Sequence, residues 1–128
     1  MRTTKPETRP VNLDLLRIRQ PVTAITSIAH RISGVLLFLS IPLVIYLLER
    51  SLQGQSGYRE VLALFDKAPM KLLTILIAWA AAHHFFAGIR FLLLDIELGV
   101  DLPGARKSAF VVNVLGVVAV LIAMAMII

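Results

Sequence analysis

PVTAITSIAHRISGVLLFLSIPLVIYLL, residues 21–48, is the stretch that decides the fold. It carries no charged side chain apart from His30 and Arg31, and it exceeds the roughly 20 residues that cross about 30 Å of hydrocarbon. Its apolar residues neither alternate at period two nor recur on one helical face, so neither a half-buried strand nor a soluble amphipathic helix fits. Two further blocks read the same way. Leu72 to Leu94 is broken only by His83, His84 and Arg90, and Ser108 to Ile128 carries no charge. The expected fold is an all-α integral membrane protein with three transmembrane helices, over about residues 21–49, 69–96 and 106–128.

Composition agrees. Of 128 residues, 58% are hydrophobic and 16% charged, with a mean hydropathy of +0.83, against about a quarter charged in soluble domains. Thirteen Lys and Arg outweigh eight Asp and Glu. In a soluble chain that excess would suggest nucleic acid; here it reads as topology. Arg2, Lys5, Arg9, Arg17 and Arg19 precede the first block, and Arg106 and Lys107 lie in the second connection. Arg50, Arg59, Lys67 and Lys71 flank or occupy the first connection. The bias toward the first set predicts a cytoplasmic N-terminus and a C-terminus on the far side, which is the periplasm in a bacterial inner membrane. The absence of cysteine excludes disulfides, iron–sulfur ligation and covalent haem attachment by this chain.

Residues 1–20 form a basic cytoplasmic tail and 21–128 the membrane domain. A cleavable signal is not expected, because the opening residues are polar and the apolar segment after them is too long for a signal core. Pro21 suits the start of the first helix, and Pro42 inside it removes one backbone hydrogen bond, leaving room for a kink. Residues 51–68, with Gly54, Ser56 and Gly57, read as a far-side loop holding at most a short amphipathic turn around Tyr58 to Phe65. Leu98 to Arg106, with Gly99, Pro103 and Gly104, reads as the cytoplasmic connection.

Ionisable side chains at membrane depth cost about 2.5–3.5 kcal/mol each on insertion scales, which makes them functional candidates. Centring each helix on a 30 Å slab puts His30 about 7 Å, Arg31 about 9 Å and Arg90 about 4–5 Å below the cytoplasmic boundary, and His84 about 13 Å below it. This layering suits an upright haem, with a neutral imidazole at the iron and cations nearer the surface at the propionates. Gly88, one turn from His84, would let a flat macrocycle approach the backbone. On spacing alone, His84 is either such a ligand or a structural hydrogen-bonding histidine. His83 points about 100° away from His84 and reads as a polar contact to another helix or subunit. Ser27 and Arg31 share one face with His30 close by. A hydroxyl beside a cation suits a quinone carbonyl under reduction, where negative charge must be stabilised and protons supplied; the competing reading of Arg31 is snorkelling to the headgroups.

Two groups of these residues together resemble the cytochrome b-type membrane-anchor (C) subunit of bacterial succinate dehydrogenase, respiratory complex II. Its pattern S-x-x-H-R-x-S/T-G is matched by Ser27, His30, Arg31, Ser33 and Gly34. A second pattern, H-x-x-x-G-x-R-H-x-x-x-D, is matched by His84, Gly88, Arg90 and Asp95, with Phe91 standing where many members have a second His. The tail Arg9-Pro10-Val11-Asn12-Leu13-Asp14-Leu15 is similar to the proteobacterial form. The resemblance implies a heteromeric helix bundle in the inner membrane. It implies His84 as an axial ligand of a b-type haem, Ser27 and Arg31 in the ubiquinone pocket, and His30 and Arg31, with Arg90, near the propionates. It also implies partners: a second three-helix (D) subunit supplying the other haem ligand, an iron–sulfur subunit docked by the basic tail, and a flavoprotein that oxidises succinate. The depth difference of about 6 Å between His30 and His84 independently predicts that this chain supplies one ligand only. The alternatives are a haem-free, quinone-binding structural anchor and a small multidrug-type transporter. The latter would need an acidic residue at mid-membrane, and Asp95 and Glu97 lie at a helix end.

Overall fold

The computed structural model describes residues 18–128, so most of the basic tail, residues 1–20, lies outside the described residues. Four helices follow in order: α1 (Val22–Leu52), α2 (Gln55–Phe65), α3 (Ala68–Asp95) and α4 (Leu102–Ile127). Three of them, at 31, 28 and 26 residues, are long and apolar enough to cross a membrane. They match the three expected spans to within a few residues at each boundary.

The differences at the boundaries have local causes. Pro21 is the N-cap of α1 rather than its first helical residue, with φ −66° and ψ 153°. At the far end α1 runs to Leu52, and the segment expected to be a loop with a turn contains the 11-residue helix α2. Gly54, at φ 102°, makes the break between them, a left-handed conformation that glycine adopts without steric cost. α2 then folds back so closely that a Cβ on Gly57 would overlap the Arg50 carbonyl oxygen. Arg50 closes the corner, donating from Nε (2.9 Å) and Nη2 (2.6 Å) to Glu60 Oε2 and from Nη1 to Gln53 Oε1 (2.6 Å).

The second connection is shorter than expected, because α4 begins at Leu102 and not near residue 106. Asp101 is an N-cap whose Oδ2 accepts the Gly104 N–H at 2.9 Å, and Pro103 occupies the first turn, where its missing N–H costs nothing. Leu102 to Arg106, the second half of the stretch that reads as a loop, are a helix start.

Burial is inverted relative to a soluble protein. Along the three long helices the buried positions are small, polar or valine: Thr26 and Ser33 on α1, Ala80, His83, Ala87 and Arg90 on α3, Ala109, Val112, Gly116 and Ala123 on α4. On α3 and α4 they recur at spacings of three, four and seven, the period of a helix–helix seam. Large apolar side chains such as Phe38, Leu72, Leu92 and Met126 point outward. Lipid tails are as apolar as leucine, so association within a bilayer selects close-approaching small residues and interhelical hydrogen bonds instead.

Candidate functional site

α3 carries two adjacent histidines, and successive residues on a helix point about 100° apart. The structure sends them to different seams. His83 enters the α3–α4 seam, where it is 2% exposed and stacks on Trp79 with ring centroids 5.5 Å apart. A Cβ on Gly116 of α4 would lie 3.2 Å from its Nδ1. Thr26 Oγ1 lies 3.1 Å from Asn113 Oδ1 and 3.3 Å from the Ala109 carbonyl, joining α1 to α4. His83 therefore packs on a helix of its own chain, with Nε2 unpartnered among the described residues.

His84 enters the α1–α3 seam and is half-buried. Its ring stacks on His30 of α1, centroids 4.2 Å apart and planes 12° apart. The two rings therefore differ in depth by no more than 4.2 Å, less than the 6 Å expected from centring each helix separately. Seam packing, not helix length, sets the axial register: a Cβ on Gly34 would approach His84 Cε1 to 3.0 Å. The other face of His30 meets Phe91, at 5.1 Å between centroids. His84 Nδ1 lies 3.2 Å from the His30 carbonyl and 3.3 Å from Ser33 Oγ.

Gly88 lies opposite His30. A Cβ there would find only His30 Nε2, at 4.0 Å, an ordinary contact, so nothing among the described residues requires glycine at that position. Ser27 is half-buried and Arg31 exposed, one turn apart on α1, and among the described residues neither side chain has a hydrogen-bond partner.

Arg90 is 6% exposed and turns toward α4. Its Nε donates to Ser108 Oγ (3.0 Å) and its Nη2 to the Ala105 carbonyl (3.3 Å), while the guanidinium lies 5.3 Å from the centre of the Phe91 ring. It borders the larger cleft between α3 and α4, about 500 Å³, with Leu93, Lys107, Ser108 and Val111. Neither His84 nor the pair Ser27 and Arg31 lines that cleft.

The arrangement is thus one imidazole anchored through Nδ1, a second imidazole stacked on it, and a hydroxyl and a cation on the adjoining face of α1. Comparison with known proteins gives these groups a context. Residues 5–123 match the family described as succinate dehydrogenase/fumarate reductase transmembrane subunit. The chain belongs to that family. It is similar to the succinate dehydrogenase cytochrome b556 subunit of Coxiella burnetii, 41% identical over 116 residues that cover 90% of this chain and 93% of the relative. It is also similar to the subunit of the same name from Paracoccus denitrificans, 31% identical over 105 residues, 79% of this chain and 78% of that one.

Within this family setting, two residues that the sequence motif contained without an assigned role, Ser33 and Gly34, contact His84 directly. Their signal was present in the offsets: positions 30, 33 and 34 lie on one helical face. What no offset could give was the partner helix they face.

Proposed function

We propose that this chain is a membrane-anchoring cytochrome b subunit of succinate:ubiquinone oxidoreductase, contributing His84 to a b-type haem and Ser27 and Arg31 to the ubiquinone-reduction site. The observation that carries the haem reading is the state of His84. Its Nδ1 faces two oxygens of α1, so Nε2 is the nitrogen left to meet a metal, in the manner of histidines oriented by a partner on the other ring nitrogen. Gly88, where a Cβ would meet only His30 Nε2 at 4.0 Å among the described residues, leaves room for a flat ring beside α3. The b556 name of both relatives supports the same cofactor.

His30 stacks face to face on His84, so of the two imidazoles it is His84 that would hold the haem iron. This chain therefore supplies one ligand, and the second comes from another three-helix subunit. His30 and Arg31, with Arg90 held by α4 as a second cation, would meet the propionates. A bound haem would supply a one-electron store.

Ubiquinone is the substrate. Its carbonyl gains negative charge on reduction, which the Arg31 guanidinium stabilises while the Ser27 hydroxyl donates a hydrogen bond; a preorganised donor and cation in a water-poor site are worth far more than in bulk water. Succinate is oxidised elsewhere, by the flavoprotein, with electrons passed through the iron–sulfur subunit that docks at the N-terminal side. The chain sits in the bacterial inner membrane with the N-terminus cytoplasmic and the C-terminus periplasmic, as the Lys and Arg bias favours.

A reduced-minus-oxidised spectrum of the purified complex is expected to show a b-type haem; its absence would favour a haem-free, quinone-binding anchor. Arg31→Ala is expected to slow ubiquinone reduction by roughly a hundredfold, the scale of losing one oxyanion-stabilising group, while succinate oxidation by an artificial dye persists. Equal loss of both activities would remove Arg31 from the quinone site.

A further inference from the structure

Ser33 is fully buried, at 0% exposure, in the α1–α3 seam beside His84. Its hydroxyl has one proton, and the Ser33 Oγ to His30 carbonyl distance of 2.8 Å assigns that proton to the carbonyl. What Ser33 offers His84 Nδ1, 3.3 Å away, is therefore a lone pair. The second neighbour of Nδ1, the His30 carbonyl at 3.2 Å, has only lone pairs to offer. Two acceptors face one ring nitrogen, so Nδ1 carries the proton and Nε2 the free lone pair. Gly34 completes the cradle, because any side chain there would crowd Cε1 of the same ring.

We propose that Ser33 and the His30 carbonyl are a positioning pair for His84: by jointly accepting its Nδ1–H they fix the tautomer and ring orientation and set how strongly Nε2 donates to iron. Ser33 is a positioning residue with no contact to iron or quinone. The inference rests on the haem reading above. An acceptor on the far nitrogen raises the basicity of a ligating imidazole, and hydrogen bonding to a ligand is one of the levers on haem potential. A more basic ligand stabilises ferric over ferrous iron. Removing the Ser33 acceptor should therefore raise the midpoint potential.

The test is a redox titration of the haem, with low-temperature EPR of its ferric form, on the purified complex carrying Ser33→Ala and Ser33→Thr. The expected result is a higher potential and altered low-spin g-values in Ser33→Ala, both restored in Ser33→Thr. A potential and spectrum in Ser33→Ala identical to the parent would overturn the proposal. Should the Ser33→Ala complex fail to assemble, Gly34→Ala carries the test, since its methyl presses on Cε1 and leaves the hydroxyl in place. A shifted EPR signal or a gain of high-spin haem supports the cradle, and an unchanged signal sinks it. Haem retained in His84→Leu would instead defeat the underlying ligand assignment, so the two failures are separable.

Discussion

His83 and His84 are neighbours in sequence and opposites in structure. The α3–α4 seam that receives His83 is closed by the chain itself: Gly116 lies against the ring, Trp79 stacks on it, and Arg90 spends two donors on Ser108 and the Ala105 carbonyl. The α1–α3 seam that receives His84 is closed on one side only. One ring nitrogen is anchored to α1, His84 and Ser27 are half-buried, and Arg31 is exposed. Polar groups at membrane depth serve stability when their partners lie in the same chain. They serve binding when the fold orients them and leaves their reactive atoms facing outward.

That contrast can be broken by exchanging what each seam loses. The largest expected effect is in the open one: His84→Leu should abolish haem in the assembled complex, whereas His83→Leu should retain it, both read from the reduced-minus-oxidised spectrum. His83 Nε2 has no partner among the described residues, and replacing an unsatisfied buried polar group by an apolar one of similar size is nearly neutral, within about 1 kcal/mol. Loss of haem in both variants would erase the distinction between the seams.

Arg90→Leu is expected to act on the closed seam first, lowering the thermal stability of the complex through a loss of about 1–3 kcal/mol for its hydrogen bonds to α4. A selective loss of haem with stability unchanged would move Arg90 to the open side. The smallest effect belongs to the α1–α2 corner. The Arg50–Glu60 pair is exposed on both sides, at 39% and 55%, so Glu60→Gln should lower thermal stability only slightly, and less still with added salt. A larger loss would mean that α2 depends on this ion pair more than on the close approach of Gly57.

Much of this was legible beforehand. The three spans follow from apolar blocks longer than a bilayer is thick, and the divergence of His83 from His84 follows from helical geometry. α2 and the early start of α4 are harder to see in the sequence, for local reasons. Gly54, Gly57, Gly99 and Gly104 all read as loop punctuation, but only Gly54 and Gly99 adopt positive φ. Gly57 serves a close helix–helix approach, and Gly104 lies in the first turn of a helix capped by Asp101.

The relative depth of His30 and His84 could not be obtained from one dimension. Centring each helix on the same slab treats the helices as independent rods, whereas their packing brings the two rings to 4.2 Å. Which segments cross the membrane, which polar residues they carry and on which helical face all follow from residue order, because hydrophobic length and the 100° step are properties of one helix. The axial register of α1 against α3, the commitment of Arg90 to α4 and the pairing of Ser33 with His84 come instead from packing between helices. Those depend on how small residues of different helices interlock, and in lipid no burial of large side chains from water selects one register over another.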